Sequence, residues 1–308
     1  MPVTALASKG NFHAACDANW IEMKPAIVDV EVWIRAVPLA CIVSLLLGLS
    51  PRVTAGQLRP LEPVRWEALT GASTARAGMG IGVLTDQRAS LAGTRGTLVE
   101  IGNWFITYRS GRLALEFSGT AVRWFEDEDV LTPPFVRTDP SDGNARTDAG
   151  DVRIATLLRL FGESDAAMAG LRFGTRLPTP SDEPGLDRDR TDFFATAIGR
   201  ARVHGAVYVF GEAGVGIHST IVEDYPQSDV LIYNAGIEAA SGAGGVRVQV
   251  LGHDDLHRRV IRGNEDLAEL RFGGWLGERR RIEVHAVRGL ADFSPRWGVL
   301  LMGGIRVW

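Results

Sequence analysis

The densest group of side chains that could do chemistry is the run His253-Asp254-Asp255-Leu256-His257. If this run were helical, His253 and His257 would share a face and could bind a metal ion together with a carboxylate. An Asp–His pair at the same place could instead activate a water molecule for hydrolysis. The run follows a predicted strand, however, so we expect ordinary loop histidines, no metal ion and no catalytic residues. A hydrolase with its site at the rim is the third functional hypothesis.

Other chemistries have less support. Gly242-Ala243-Gly244-Gly245 is typical of a tight turn rather than of a phosphate-binding loop between a strand and a helix, and no cofactor is expected. The net charge of −4 argues against nucleic acid as a partner, because nucleic-acid binding calls for a basic patch. The two cysteines, Cys16 and Cys41, both precede the predicted mature chain, so no disulfide is expected in it.

The first 55 residues have the character of an export signal. Residues 36–48 form an apolar run that is too short for a transmembrane helix and suits the core of a signal peptide. Small residues in Val53-Thr54-Ala55 predict cleavage after Ala55, and Met23 is a plausible true start. Residues 56–74, with Pro60 and Pro63, are predicted to be an irregular periplasmic lead-in with no plug domain before the first strand.

The C-terminal stretch Trp297–Trp308 determines the predicted fold class. It alternates apolar residues at the strand period and ends on an aromatic residue, as outer-membrane barrels do where the last strand closes against the first. We therefore predict an all-β, antiparallel transmembrane barrel over residues 75–308. Trp297 and Trp308 are the expected interface and closure residues, and the C-terminal strand is the expected contact for the barrel-assembly machinery. Outer-membrane lipid and lipopolysaccharide would surround the barrel.

Alternating patterns and turn residues predict about twelve strands, each near the length that a tilted membrane strand needs. The connections alternate between short and long, with Ser110-Gly111 and 203–205 among the short ones and 126–150 and 178–191 among the long ones. This parity is typical of short periplasmic turns and longer extracellular loops. Twelve strands also agree with the even number that bacterial barrels contain.

Charged residues within predicted strands should face the lumen, because the lipid side must be apolar. The pore-lining candidates chosen on this basis are Glu116, Arg153, Arg159, Arg172, Arg176, Arg200, Arg202, Glu212, Glu238, Arg247, Glu269, Arg271, Glu283 and His285. Such a mixture could pair into a network that fills the lumen, or it could line a small water-filled pore.

The run Ala169–Gly216 combines a strand ending in Leu177-Pro178, a loop rich in aspartate, a further strand, a tight turn and an aromatic-rich strand. With Leu98-Val99-Glu100-Ile101-Gly102 and the barrel-type end at Trp308, it resembles the outer-membrane family named for the MetA pathway of phenol degradation. The resemblance covers most of the predicted mature chain. It implies an outer-membrane channel for small apolar or aromatic compounds, with no catalytic residues to carry over.

The sequence thus predicts an exported outer-membrane channel for the passive passage of small-molecule solutes. The second hypothesis is a closed barrel with a structural role or a surface-binding role through its acidic loop 126–150. The two hypotheses differ in whether the lumen conducts.

Overall fold

The protein is described here by a computed structural model. It covers residues 58–70, 75–135, 137–138, 143–162, 166–178, 185–187, 190–222, 225–241, 244–256 and 265–307. The predicted signal peptide, His257 and Trp308 lie outside these ranges. No helix within them has the length and apolar character needed to cross a membrane.

Strands account for most of the described chain. Their bounds are β1 (Ala75–Ala89), β2 (Thr94–Ser110), β3 (Leu113–Val130), β4 (Ala145–Asp148), β5 (Val152–Phe161), β6 (Ala167–Leu177), β7 (Asp192–His204), β8 (Val207–Val222), β9 (Tyr225–Ser241), β10 (Gly244–Asp255), β11 (Leu267–Leu276), β12 (Arg280–Gly289) and β13 (Trp297–Arg306).

Twelve of these strands form a closed antiparallel barrel, which confirms the predicted fold class. Each barrel strand pairs with the next one along the chain, and β1 pairs with β13 from Arg76↔Arg306 to Thr85↔Trp297. The thirteenth strand, the short β4, pairs only with one end of β3. Closure leaves no unpaired edge, so the backbone groups of the wall are satisfied by neighbouring strands.

The two ends of the barrel differ in their connections. We call the end with the tight turns the turn end and the opposite end the loop end. Gly111 and Gly205 lie in turns at the turn end with φ of 61° and 50°, a left-handed conformation that glycine adopts without steric cost. At the loop end, the predicted connection 219–228 is mostly strand, because β8 and β9 continue to pair as far as Val222↔Tyr225.

The outer face of the wall is apolar. Along β13, Val299, Leu301 and Ile305 are 54%, 42% and 53% exposed, and Ile81 on β1 is 48% exposed. A contiguous apolar surface of this kind is costly in water and favourable in lipid. The strand pleat turns the alternate residues inward, where charged side chains dominate.

An irregular segment, residues 58–70, runs inside the barrel. We call it the lumen segment. It contains one 3-10 turn, Trp66–Ala68, and its residues Leu58, Val64 and Leu69 are at most 2% exposed. The sequence-based expectation placed residues 56–74 in a periplasmic lead-in and foresaw no plug. The structure instead places residues 58–70 among the inward-facing side chains of the strands.

Candidate functional site

The candidate site is the lumen, since the pleat directs most of the charged strand residues there. Of the predicted pore-lining residues, those that are buried are Glu116, Arg172, Arg176, Glu212, Glu238, Arg247, Glu269, Arg271 and Glu283. Those that are partly buried are Arg153, Arg159, Arg200 and His285, while Arg202 is exposed near the end of β7. Their role in lining a conducting pore stays a prediction.

The first half of the lumen segment is held by ion pairs. The Arg59 guanidinium lies 2.7 Å from Glu100 on β2, 3.2 Å from Glu269 on β11 and 3.3 Å from Glu62 within the segment. Arg271 reaches Glu62 from β11 at 2.9 Å. Charge-assisted contacts of this length are the strong class of hydrogen bond, so this cluster ties the segment to two separate parts of the wall.

These cations control the ionisation of Glu62. Burial alone would raise the pKa of the Glu62 carboxyl, but the guanidinium groups of Arg271 and Arg59 outweigh it and hold this pKa well below its ordinary value. Arg172 also donates a hydrogen bond to the Glu62 carbonyl oxygen at 3.0 Å. Glu62 is therefore an ionised anchor of the lumen segment at neutral pH.

The second half of the lumen segment is held mainly by apolar packing. The ring of Trp66 lies 5.7 Å from that of Phe210, in a cluster that also includes Val64 and Leu69. Arg159 donates a hydrogen bond to the Leu69 carbonyl oxygen at 3.1 Å. On the wall side, this cluster is completed by inward-facing apolar residues, namely Ala114, Leu157, Met168, Ile198 and Phe210.

Between the two halves, Arg65 makes both kinds of contact. Its guanidinium lies 3.5 Å from the centroid of the Phe105 ring and 3.4 Å from Glu283. The ring face attracts the cation while the carboxylate balances its charge.

Strand-to-strand ion pairs fill space beside the segment. Arg172 lies 3.0 Å from Glu116 and 3.2 Å from Glu212, which joins β6 to β3 and β8. Glu238 accepts hydrogen bonds from Arg247 and from Arg200. These pairs correspond to the charge network that was one of the two sequence-based alternatives for the lumen.

A second cluster of charges lies towards the loop end. The Arg176 guanidinium is 2.9 Å from Asp151, 3.3 Å from Asp187 and 2.7 Å from Asp192. Arg123 lies 2.8 Å from Asp187. Asp187 belongs to the connection 178–191, which the sequence predicts to be a longer extracellular loop. At Asp187 this connection turns inward, and the residue is 2% exposed.

The space left beside the lumen segment is divided into small cavities. One of them has a volume of about 70 Å³ and lies between the lumen segment and strands β2, β3, β5, β6 and β13, and two others are about 30 and 20 Å³. Such volumes accommodate a few water molecules or one small solute. The lumen segment thus occupies much of the space that the wall encloses.

The rim residues proposed for metal binding or hydrolysis are arranged differently from the helical hypothesis. His253 and Asp254 lie in β10, so their side chains point to opposite faces of the wall. His253 Nε2 lies 2.9 Å from the Glu265 carbonyl oxygen, and the Asp254 carboxylate accepts a hydrogen bond from Tyr233 at 3.3 Å. His257 lies outside the described ranges, within which no group of three or more potential ligands could hold a metal ion.

Several lumen residues were missed by sequence reasoning. The lumen segment has no strand or helix period, so Arg59, Glu62 and Arg65 gave no signal of their own. A signal did exist on the wall: Leu157, Met168 and Ile198 are large apolar residues on a face that was expected to be polar. They mark the place where Val64 and Trp66 pack.

The comparisons with known proteins agree with this fold. No protein-family model matches the sequence, and neither does any curated protein. An outer-membrane channel from Pseudomonas putida F1 matches with a TM-score of 0.53 and 14% sequence identity, over 80% of this chain and 99% of that chain. The NanC porin matches with a TM-score of 0.46 and 7% identity, over 76% of this chain and 98% of that chain. The first similarity supports the architecture alone, and the second is too low to add to it. The chain therefore has the fold of an outer-membrane β-barrel.

Proposed function

We propose that this protein is an outer-membrane channel for small solutes and that the lumen segment closes it in the state described here. The observation that carries the proposal is that the charged inner face of a closed twelve-stranded wall encloses a segment that is not part of the wall. Strand side chains can fill the interior of a small barrel, so stability of the wall alone does not require a separate segment in the lumen.

The lumen segment can be displaced without breaking the wall. Its contacts to the strands are side-chain ion pairs, apolar packing and single hydrogen bonds, whereas each wall strand is held by backbone pairing to a strand on either side. Its release would cost only those side-chain contacts and would leave the twelve strands paired. The segment is therefore the natural element to move when a solute passes.

The proposed location is the outer membrane, with export by a signal peptide that is cleaved after Ala55. The apolar outer face supports a lipid environment. N-terminal sequencing of the protein from a membrane fraction should begin at Gly56; a soluble, uncleaved chain would contradict this part of the proposal.

Planar-bilayer conductance tests the closed-channel proposal. The chain from Gly56 to Trp308 is refolded in detergent and compared with a variant that lacks residues 56–70. We expect no current steps or only brief ones for the intact chain, and long-lived steps for the deletion variant, because removing the segment connects the cavities. A heat-modifiable band on gels shows that both chains have folded.

Absence of current steps for both the intact chain and the deletion variant would refute the channel. It would favour the alternative, a closed structural or surface-binding barrel that acts through its acidic loop 126–150. The small cavity volumes are the observation on which that alternative depends.

The lumen arginines offer a second test of the proposed channel. Arg172 and Arg271 both hold Glu62, so replacing either by glutamine should increase the open time as well as shift the ion preference away from anions. Reversal potentials in a salt gradient measure the preference. Arg95→Gln is a matched control, since Arg95 pairs with Asp129 and Asp86 at the loop end and makes no contact with Glu62.

A further inference from the structure

Arg153 on β5 differs from the other arginines around the cavity of about 70 Å³. Arg59, Arg65, Arg123 and Arg172 line the same cavity, and each has a carboxylate within 3.4 Å. Within the described part of the chain, Arg153 makes no hydrogen bond and no ion pair. Its guanidinium is a cation in the interior of the barrel on which Asp151 and Glu62 act only from beyond ion-pair distance.

The strand register explains this isolation. Arg153 lies directly opposite Arg176 on β6 and opposite Ser118 on β3. Like charges at opposite positions of neighbouring strands are unfavourable unless anions separate them. Three aspartates surround Arg176 and leave none in contact with Arg153.

The position of Arg153 makes it accessible to a solute. It lines both the cavity of about 70 Å³ and the cavity of about 20 Å³, and so stands between them. Ser118 and Thr120 offer hydroxyl groups at the wall of the larger cavity, and Phe105 adds an aromatic ring. A planar guanidinium next to hydroxyl groups and a ring suits a small organic carboxylate, which can accept two parallel hydrogen bonds from the fork.

We propose that Arg153 is the anchor of a binding site for small monocarboxylates within the lumen. A bound carboxylate would supply a counter-charge in direct contact with the guanidinium, which offsets the cost of keeping the cation away from bulk water. The proposal rests on the proposed channel function for its role in transport, where it names small organic anions as the solute class. The binding itself is measured separately.

Isothermal titration calorimetry of the refolded chain from Gly56 to Trp308, in detergent micelles, tests the site. The probes are benzoate, acetate as a smaller carboxylate, and benzamide as a neutral analogue of benzoate. We expect saturable binding of benzoate and acetate and none of benzamide. Arg153→Gln should weaken carboxylate binding at least about tenfold, because hydrogen bonds to charged groups are the strongest ones lost. Arg153→Lys should bind with intermediate affinity, since it keeps the charge and loses the fork.

Arg95→Gln is the control. Arg95 pairs with Asp129 and Asp86 at the loop end and does not line the cavity of about 70 Å³, so this variant should bind benzoate like the unmodified protein. Any one of three results would overturn the site. These are benzoate binding by Arg153→Gln as tight as by the unmodified protein, no saturable binding of benzoate or acetate, and binding of benzamide as tight as that of benzoate. Conductance reports on the channel independently: a silent deletion variant with intact benzoate binding would refute the channel and keep the site.

Discussion

Arg153 and Arg176 face each other across β5 and β6, yet their surroundings are opposite. Arg176 is 3% exposed and has three aspartates within 3.3 Å, namely Asp151 just before β5, Asp187 in the connection 178–191 and Asp192 at the start of β7. Arg153 has no carboxylate within contact distance in the described residues and borders two cavities. Arginine thus occurs at two paired positions of the wall, with ion-pair partners at Arg176 and with access to cavities at Arg153.

The difference shows that the inner face has two kinds of charge. A charge such as Arg176 is neutralised within the fold, because carboxylates from an inward-turning connection and from the surrounding strands form ion pairs with it. A charge such as Arg153 stays available for a ligand. The two kinds can be separated by how much each contributes to stability and by what each binds.

The largest effect is expected for Arg176→Gln. Removing this guanidinium leaves Asp151, Asp187 and Asp192 close together and buried, and loss of one partner of a buried ion pair typically costs about 3–5 kcal/mol of unfolding free energy. Urea titration of the refolded barrel in lipid vesicles, followed by tryptophan fluorescence, measures this free energy.

The cost of Arg176→Gln should also fall in acid, because protonated carboxyl groups need no counter-charge. Arg95→Gln, at an exposed pair with Asp129, is the control and should change the unfolding free energy little. An Arg176→Gln barrel as stable as the unmodified one would show that the cluster does not hold connection 178–191 to the wall.

A smaller effect concerns the pH dependence of the lumen segment. While the lumen segment is in place, the pKa of the Glu62 carboxyl is lowered from its ordinary value of 4.5. The ionised carboxylate therefore holds the segment fully at a pH above 4.5, and this stabilisation is lost as the pH falls below 4.5 towards the lowered pKa. Trypsin cleavage after Arg65 reports release of the segment, because Arg65 is followed by Trp66 and the Arg59–Pro60 bond resists trypsin. We expect cleavage of the unmodified barrel to accelerate as the pH is lowered from neutrality to below about 4.5, after correction for trypsin activity on an unfolded peptide.

Glu62→Gln should release the segment more readily at pH 7 and should lose part of this pH dependence. The matched control is Glu278→Gln, because Glu278 is exposed in a tight turn at the turn end. Identical pH profiles for the Glu62→Gln and unmodified barrels would show that Glu62 is not the titrating anchor.

The smallest effect is expected for Arg153→Gln. Since Arg153 makes no hydrogen bond in the described structure, its replacement leaves no partner unsatisfied and should change the unfolding free energy by no more than about 0.5 kcal/mol. The same urea titration measures it. A loss as large as that of Arg176→Gln would mean that Arg153 has a structural partner and would remove the contrast between the two arginines.

Much of the wall could be predicted from the sequence. Period-two alternation along β6 and β10 and glycine turns such as Gly111 and Gly205 located the strands to within a few residues, because one face of each strand must be apolar. The ends of β8 and β9 were less predictable, since pairing continues beyond the region where lipid imposes a pattern.

The lumen was less predictable, because its order comes from contacts distant in sequence. Arg59 meets Glu269 across 210 positions, and no local pattern encodes such a pair. Arg153 and Arg176 look alike in the sequence, and they are distinguished only by the carboxylates that the fold brings to Arg176. The prolines of the lumen segment hide it further, because they remove any regular period.

The seam between β1 and β13 has a consequence for the order of assembly. It joins the two ends of the barrel sequence, whereas the other wall ladders join strands that follow one another along the chain, so its closure carries the largest loss of chain entropy and should come last. Until then the future inner wall is one face of an open sheet. The lumen segment, which directly precedes β1, can settle sideways onto that face, with Trp66 finding Phe210 and Arg59 finding Glu100 before the cylinder shuts. The segment is then enclosed by the folding reaction and need not be threaded into a finished tube.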